Sequence, residues 1–172
     1  VRAFSQLKVS SSEVENTSNK GALKLLLVGP LESQLDPLQP ETLQTMAKNK
    51  NIISVGFQLE VRSYYSIANA LVFASYREGF PNVVLQAGAM GLPAIVTDIN
   101  GSNEIIVNGK NGLIVPAKDE LAICEAMKKL VVDSNLYTEL KRNSREMIVF
   151  RYEQQLVWDA IAMEYKIAMK NV

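Results

Sequence analysis

A carboxylate, Glu78, stands directly before Gly79-Phe80-Pro81-Asn82, and eight positions beyond it stands an amide, Gln86. Pro81 suits the first position of a helix, where its missing N–H costs nothing. The N–H groups of Gly79, Phe80 and the first helical turn then lack partners, and the helix dipole adds positive potential. Gly79 lets a ligand approach the main chain, so the turn has the character of an anion site that receives phosphate. A carboxylate beside a bound anion is unfavourable unless it accepts hydrogen bonds from nearby hydroxyls. A phosphate carried on a sugar satisfies both groups. By position alone, an acid before a helix is more simply a dipole or capping charge. On the same terms Gln86 is a helix-surface amide, and Ala87, Gly88, Ala89 and Gly91 permit close helix-to-sheet packing.

The rest of the composition narrows the chemistry. Histidine is absent, which removes the commonest general base, the commonest zinc ligand and every Ser-His or Cys-His nucleophile. A single cysteine, Cys124, excludes an internal disulfide and a cysteine-rich metal site. Asp98-Ile99-Asn100 is not a paired-acid metal motif, and no acid cluster suggests magnesium, so no metal is expected. Lysine plus arginine and aspartate plus glutamate both number 18, a balance that supplies no long-range field for nucleic acid. Arg77 is placed to reach a phosphate or to serve as a surface charge, and Lys20, Lys24, Lys110 and Lys118 form no cluster. No apolar run approaches the roughly 20 residues that span a bilayer.

The elements that must position Glu78 alternate in type. Strand-like runs fall at 24–29, 51–57, 70–75, 93–98 and 112–116, with helical spacing at 40–49, 61–69 and 81–90. A polar loop with Asn-Gly pairs precedes the last strand. From Lys118 onward the pattern is helical, with amphipathic segments at 118–133 and 151–172 in which Trp158 and Tyr165 read as core residues. Short all-apolar strands separated by helices predict a doubly wound α/β fold, a Rossmann-like parallel sheet covered on both faces. Ligands bind such sheets outside the carboxyl ends of the strands, which draws attention to Gly29, Gly56, Ser75 and Asp98. At the start, VRAFSQLKV has helical spacing and 10–21 is a polar loop. A domain that opens inside a helix is expected to lack the strand before it, so residues 1–172 read as one domain and as a fragment.

The run SYREGFPNVVLQAGAMGLPAIVTDINGSNEIIVNGKNGLIVP resembles the signature of family 4 retaining glycosyltransferases, which have the two-domain GT-B fold. The likeness extends over about residues 23 to 172 and implies the C-terminal, donor-binding half of that fold. It makes Glu78 the first acid of the family's Glu-x7-Glu motif, in contact with the donor sugar and implied to be catalytic. Gly79, Phe80, Pro81 and Asn82 match the turn approaching the sugar and its phosphate, after a strand ending in Ser75. Gly29, Gly56 and Phe57 match loops lining the nucleotide pocket, and Gln86 takes the place of the second acid, which holds the ribose hydroxyls. Gly101 and Glu104 match the turn after the next strand, where the role of Glu104 is as readily structural as functional.

The resemblance implies a sugar transferred from a nucleotide diphosphate, UDP in the first instance, to a polysaccharide or lipid-linked acceptor, as in capsular polysaccharide synthesis. The nucleotide sugar is a substrate, and no cofactor is implied. The acceptor-binding domain and the diphosphate clamp lie outside this sequence, so the fragment is expected to be inactive alone. The full-length enzyme is expected in the cytoplasm, with peripheral association at the inner membrane face. Two departures are evident: Ala74 stands for the usual proline, and Gln86 keeps hydrogen-bonding capacity but not charge. The neutral amide leaves open a second reading, a nucleotide-sugar-binding or interaction module without transfer. A flavodoxin-like regulator is a third. The last helix is expected to leave part of its apolar face exposed and to promote self-association.

Overall fold

Where apolar residues run without interruption, the chain forms short strands. Residues 94–97 form the strand that is buried throughout. The structure is a computed structural model and describes residues 1–9, 22–31, 34, 35 and 37–170. The expected polar loop at 10–21, with Lys20, lies outside the described residues. Among the described residues five strands, β1 (Leu25–Leu27), β2 (Ile52–Ser54), β3 (Leu71–Phe73), β4 (Ala94–Thr97) and β5 (Gly112–Val115), are interleaved with helices. The helices are α1 (Arg2–Gln6), α2 (Pro40–Lys48), α3 (Arg62–Ile67), α4 (Asn82–Ala89), α5 (Ser102–Ile105), α6 (Glu120–Val132), α7 (Ser134–Tyr152) and α8 (Gln154–Lys170).

All strand pairs are parallel. β4 lies between β3 and β5, with Val72 opposite Ile95 and Ile95 opposite Leu113. Successive side chains of β4 point to opposite faces. Ile95 therefore joins Leu113, Met127, Leu130 and Leu140 on one side, while Ala94 and Val96 join Val84, Ile105 and Ile148 on the other. Helix α7 contributes to both clusters through Leu140 and Ile148. Its start is fixed by Asp133, whose Oδ1 accepts from the Leu136 N–H at 2.9 Å, as Asp119 caps α6 through Ala122 at 2.9 Å.

The predicted doubly wound architecture is present, with differences of detail. β1 pairs with β2 but not with β3, so the described strands form a two-stranded and a three-stranded piece. A groove of about 250 Å³ whose lining includes Leu25, Leu27, Val72 and Ala74 lies at the unpaired edges of β1 and β3. For this reason β1 and β3, although wholly apolar, are only half-buried, and full cover on both faces belongs to β4. Gly88 packs against a helix rather than the sheet: a Cβ there would lie 2.5 Å from Ile148 Cγ1 on α7.

The C-terminal helix predicted from residue 151 begins instead at Gln154. Glu153 is extended, and Arg151 and Tyr152 end α7. No residue of α8 is buried. Trp158 and Tyr165, expected in the core, are 55% and 68% exposed, because α8 diverges from the body after Glu153.

Candidate functional site

Beyond the end of β3 the chain runs over Ser75 and Glu78 to Pro81, the N-cap of α4. Pro81 is thus one position earlier than the first helical place predicted for it, and its carbonyl accepts from Val84 N–H at 3.1 Å. The N–H groups of Gly79, Phe80, Asn82 and Val83 have no acceptor among the described residues. Four donors left free in and around one turn are what an incoming anion requires.

Glu78 is half-buried and held in place. Its Oε1 accepts from Ser75 Oγ at 2.8 Å, while Oε2 has no partner among the described residues. The Ser75 carbonyl in turn accepts from the hydroxyl of buried Thr97 at the end of β4. The carboxylate is therefore tied through two hydroxyls to the best-buried strand, with one oxygen left to accept.

On its other side the turn is pressed by α5. Gly101, the N-cap of α5, has φ +76°, and a Cβ there would lie 2.2 Å from the Gly79 carbonyl oxygen and 2.9 Å from Pro81 Cδ. Glu104 Oε1 accepts from Gly101 N–H at 3.2 Å, a structural use of that acid. Ser102, wholly buried beside Gly101, has a hydroxyl with no partner among the described residues. Thr97 was not identified as a site residue from sequence, and Gly101 entered only as a match to the turn after the next strand. For Gly101 the available signal was an Asn-Gly pair after a strand.

Gln86 faces elsewhere. It is exposed on α4 and rims a groove of about 310 Å³ with Leu59, Glu60, Val61, Arg62 and Tyr65, which Glu78 does not line. Arg62 binds Glu60 through its side chain and through its own backbone N–H at 2.9 Å, and this holds the Glu60 carboxyl down to about 2. The Tyr65 hydroxyl donates to the Val83 carbonyl at 3.3 Å, joining this groove to α4, and burial raises its pKa. The remaining expected residues sit at the other sheet piece. Gly29 N–H donates to the Gly56 carbonyl at 2.9 Å, and Phe57 is 69% exposed beside them. Hydrogen bonds of the described residues join Ser75 to Glu78 but do not link that turn to Gly29, Gly56 or Gln86.

Among the described residues no group of three or more acids or cysteines is placed to hold a metal ion. No helix there is long and apolar enough to cross a membrane.

The family model described as "Glycosyl transferases group 1" matches residues 1–133. The capsular polysaccharide biosynthesis glycosyltransferase CapM of Staphylococcus aureus is 30% identical over 149 residues, 87% of this chain and 39% of that protein. Among solved structures, sucrose-phosphate synthase from Thermosynechococcus elongatus superposes with TM-score 0.74 at 25% identity, covering 87% of this chain and 39% of that one. Anabaena HepE, solved in complex with UDP-glucose, gives TM-score 0.75 at 17% identity, covering 83% and 40%. The chain spans about two fifths of the length of these relatives.

Proposed function

The chain belongs to the group 1 glycosyl transferases and has the fold of GT-B enzymes, and from that premise we propose that the Glu78 turn receives the sugar phosphate of a nucleotide-diphosphate donor. The observation that carries this reading is the juxtaposition of four unpaired N–H groups with a carboxylate that has one free oxygen. The amides suit the diphosphate and the carboxylate suits the sugar hydroxyls. Glu78 is the group assigned to sugar contact. Ser75, Gly79, Phe80, Pro81 and Asn82 shape the turn, and Gly29, Gly56 and Phe57 border the nucleotide.

UDP is the proposed nucleotide, in line with the UDP-glucose held by HepE. The acceptor is proposed to be a polysaccharide or lipid-linked saccharide, in keeping with the capsular role in the name of CapM. Transfer is proposed to retain configuration, as in family 4. The bond from the sugar C1 to the β-phosphate oxygen breaks and its electron pair leaves with the diphosphate. The acceptor hydroxyl oxygen bonds to C1 on the same face, and its proton passes to a departing phosphate oxygen. The turn amides stabilise the charge growing on that phosphate, where preorganised donors act most strongly. Glu78 orients the sugar and offsets positive charge at C1. The complete protein is the transferase in this proposal, and this domain alone binds donor without turnover.

Isothermal titration of UDP-glucose into the complete protein tests the assignment. Glu78→Ala is expected to weaken binding about tenfold, the loss of roughly one charge-assisted hydrogen bond. Unchanged affinity rules out sugar contact by Glu78. A second reading, a nucleotide-sugar-binding module without transfer, is favoured by one observation: Gln86 is neutral and rims a groove apart from Glu78. Absence of transfer from a panel of donors by both the natural protein and its Gln86→Glu variant would select that reading.

A further inference from the structure

The end of α7 reaches the donor turn from 72 positions away in the sequence. The Tyr152 ring meets the Phe80 ring edge-to-face, with centroids 5.5 Å apart and planes at 66°. That contact is fixed from behind. The Tyr152 hydroxyl donates to the Glu104 carbonyl at 2.9 Å and accepts from Arg151 Nη2. Arg151 also donates to the Ile105 carbonyl at 3.2 Å and to the Glu104 carbonyl, with its guanidinium 4.7 Å from the Tyr152 ring centroid. Two adjacent residues thereby occupy the last carbonyls of α5, the same short helix whose Gly101 presses on Gly79 and Pro81. Phe80 lies between two of the unpaired amides, its own N–H among the free ones.

We propose that Tyr152, braced by Arg151, is a positioning residue for donor binding: it holds Phe80, and with it the Gly79 and Phe80 amides, in the orientation that meets the phosphate. It touches no part of the donor itself. The inference rests on the donor reading of the turn. Its physical basis is that free N–H groups have no hydrogen bonds of their own to fix their direction, so the side chain between them and the neighbouring helix must do so. Phe80 is 44% exposed and belongs to neither apolar cluster; its ring rests on Tyr152, while Gly101 abuts the flanking Gly79 and Pro81.

The test separates position from stability. In Tyr152→Leu the ring contact is lost; in Tyr152→Phe the ring remains and only the hydroxyl bonds go. UDP-glucose affinity, read by calorimetry on the complete protein, is expected to fall about three- to tenfold in Tyr152→Leu and to be largely retained in Tyr152→Phe. Nitrogen-15 relaxation on this domain is expected to show Gly79 and Phe80 order parameters falling from about 0.85 toward 0.6 in Tyr152→Leu, with those of Val96 and Ile105 unchanged. If Tyr152→Leu does not fold, Phe80→Leu removes the same contact from the exposed side and is read identically. Unchanged order at Gly79 and Phe80, or an equal loss of order at Val96, overturns the proposal. Failure of the unmutated protein to bind UDP-glucose refutes the donor reading instead, and the relaxation measurement still decides whether Tyr152 orders the turn.

Discussion

Gly101 fixes the Glu78 turn more directly than any charged residue, because two separate constraints meet at one Cα. Its φ of +76° costs a side chain about 1–3 kcal/mol, and its missing Cβ leaves room for the Gly79 carbonyl. Gly109 supplies the comparison: its φ is +74°, yet a Cβ there would meet nothing within 4 Å. Both Gly101→Ala and Gly109→Ala are therefore expected to lower the melting temperature through backbone strain. Gly101→Ala is expected to cost a further 1–3 kcal/mol or so from overpacking and to weaken donor binding as the turn shifts. Equal melting temperatures for the two variants would show that the contact with Gly79 is of no consequence. A second residue-scale expectation concerns Glu60, which Arg62 holds down to about 2 from 4.5. A lowered carboxyl favours the folded chain above about 4.5, and that contribution is lost as pH falls through about 2. A carboxyl-carbon NMR titration is expected to place the Glu60 midpoint near 2 in the natural chain and higher in Arg62→Gln, still below 4.5 because the backbone N–H of residue 62 continues to donate. Glu78 and its turn were legible in the sequence because an acid, a glycine and a helix start lie side by side. Thr97 was not, and for Gly101 only its place in a turn was, because the service of both to the Glu78 turn is a contact made across about 20 residues of intervening chain.

At the level of elements, the sequence reveals what each strand is made of but not which edge finds a partner. β4 was readable because Ala94-Ile95-Val96, closed by Thr97, suits burial on both faces, and such a run has one sensible place, the middle of a parallel sheet. β1 and β3 carry the same kind of run, and nothing in it indicates that each is left with one unpaired edge. Helix α5 was read as loop, since four residues are too few to show a period, and the break at Glu153 is marked by neither glycine nor proline. The partner of the small residues on α4 was equally hidden. Close approach is visible in Ala-Gly-Ala, but the Ile148 that approaches is 60 positions on. That contact predicts an inverted substitution effect. In an exposed helix Gly→Ala stabilises by about 0.5–1 kcal/mol, whereas at Gly88 the new Cβ meets Ile148 Cγ1 at 2.5 Å. Overpacking of about 1–3 kcal/mol then exceeds the propensity gain. Chemical denaturation is expected to show Gly88→Ala destabilised, and Ile148→Ala to remove that penalty in the double variant. Additive effects in the cycle would contradict the close contact of α4 with α7.

On the scale of the whole molecule, the two apolar clusters either side of β4 are joined through α7, and α8 adds to neither. Its apolar residues nevertheless repeat at helical spacing: Trp158, Ile161, Tyr165 and Met169 lie three or four apart and are all exposed. A stripe of this kind in water is an association surface, since burying it against a second copy removes apolar area at about 25 cal/mol per Å². The molecule is thus divided into a body that holds the Glu78 turn and an arm whose stability depends on what it meets. Two consequences can be separated by experiment. Removal of residues 153–172 is expected to leave the melting transition of the body within a few degrees, because no α8 side chain is part of either core. Sedimentation velocity across a dilution series is expected to show self-association of the chain that is abolished by that truncation and by Trp158→Gln with Ile161→Gln. A monomer at every concentration would mean that the stripe is too weak to pair with itself. A large loss of thermal stability on truncation would mean that α8 is part of the body after all.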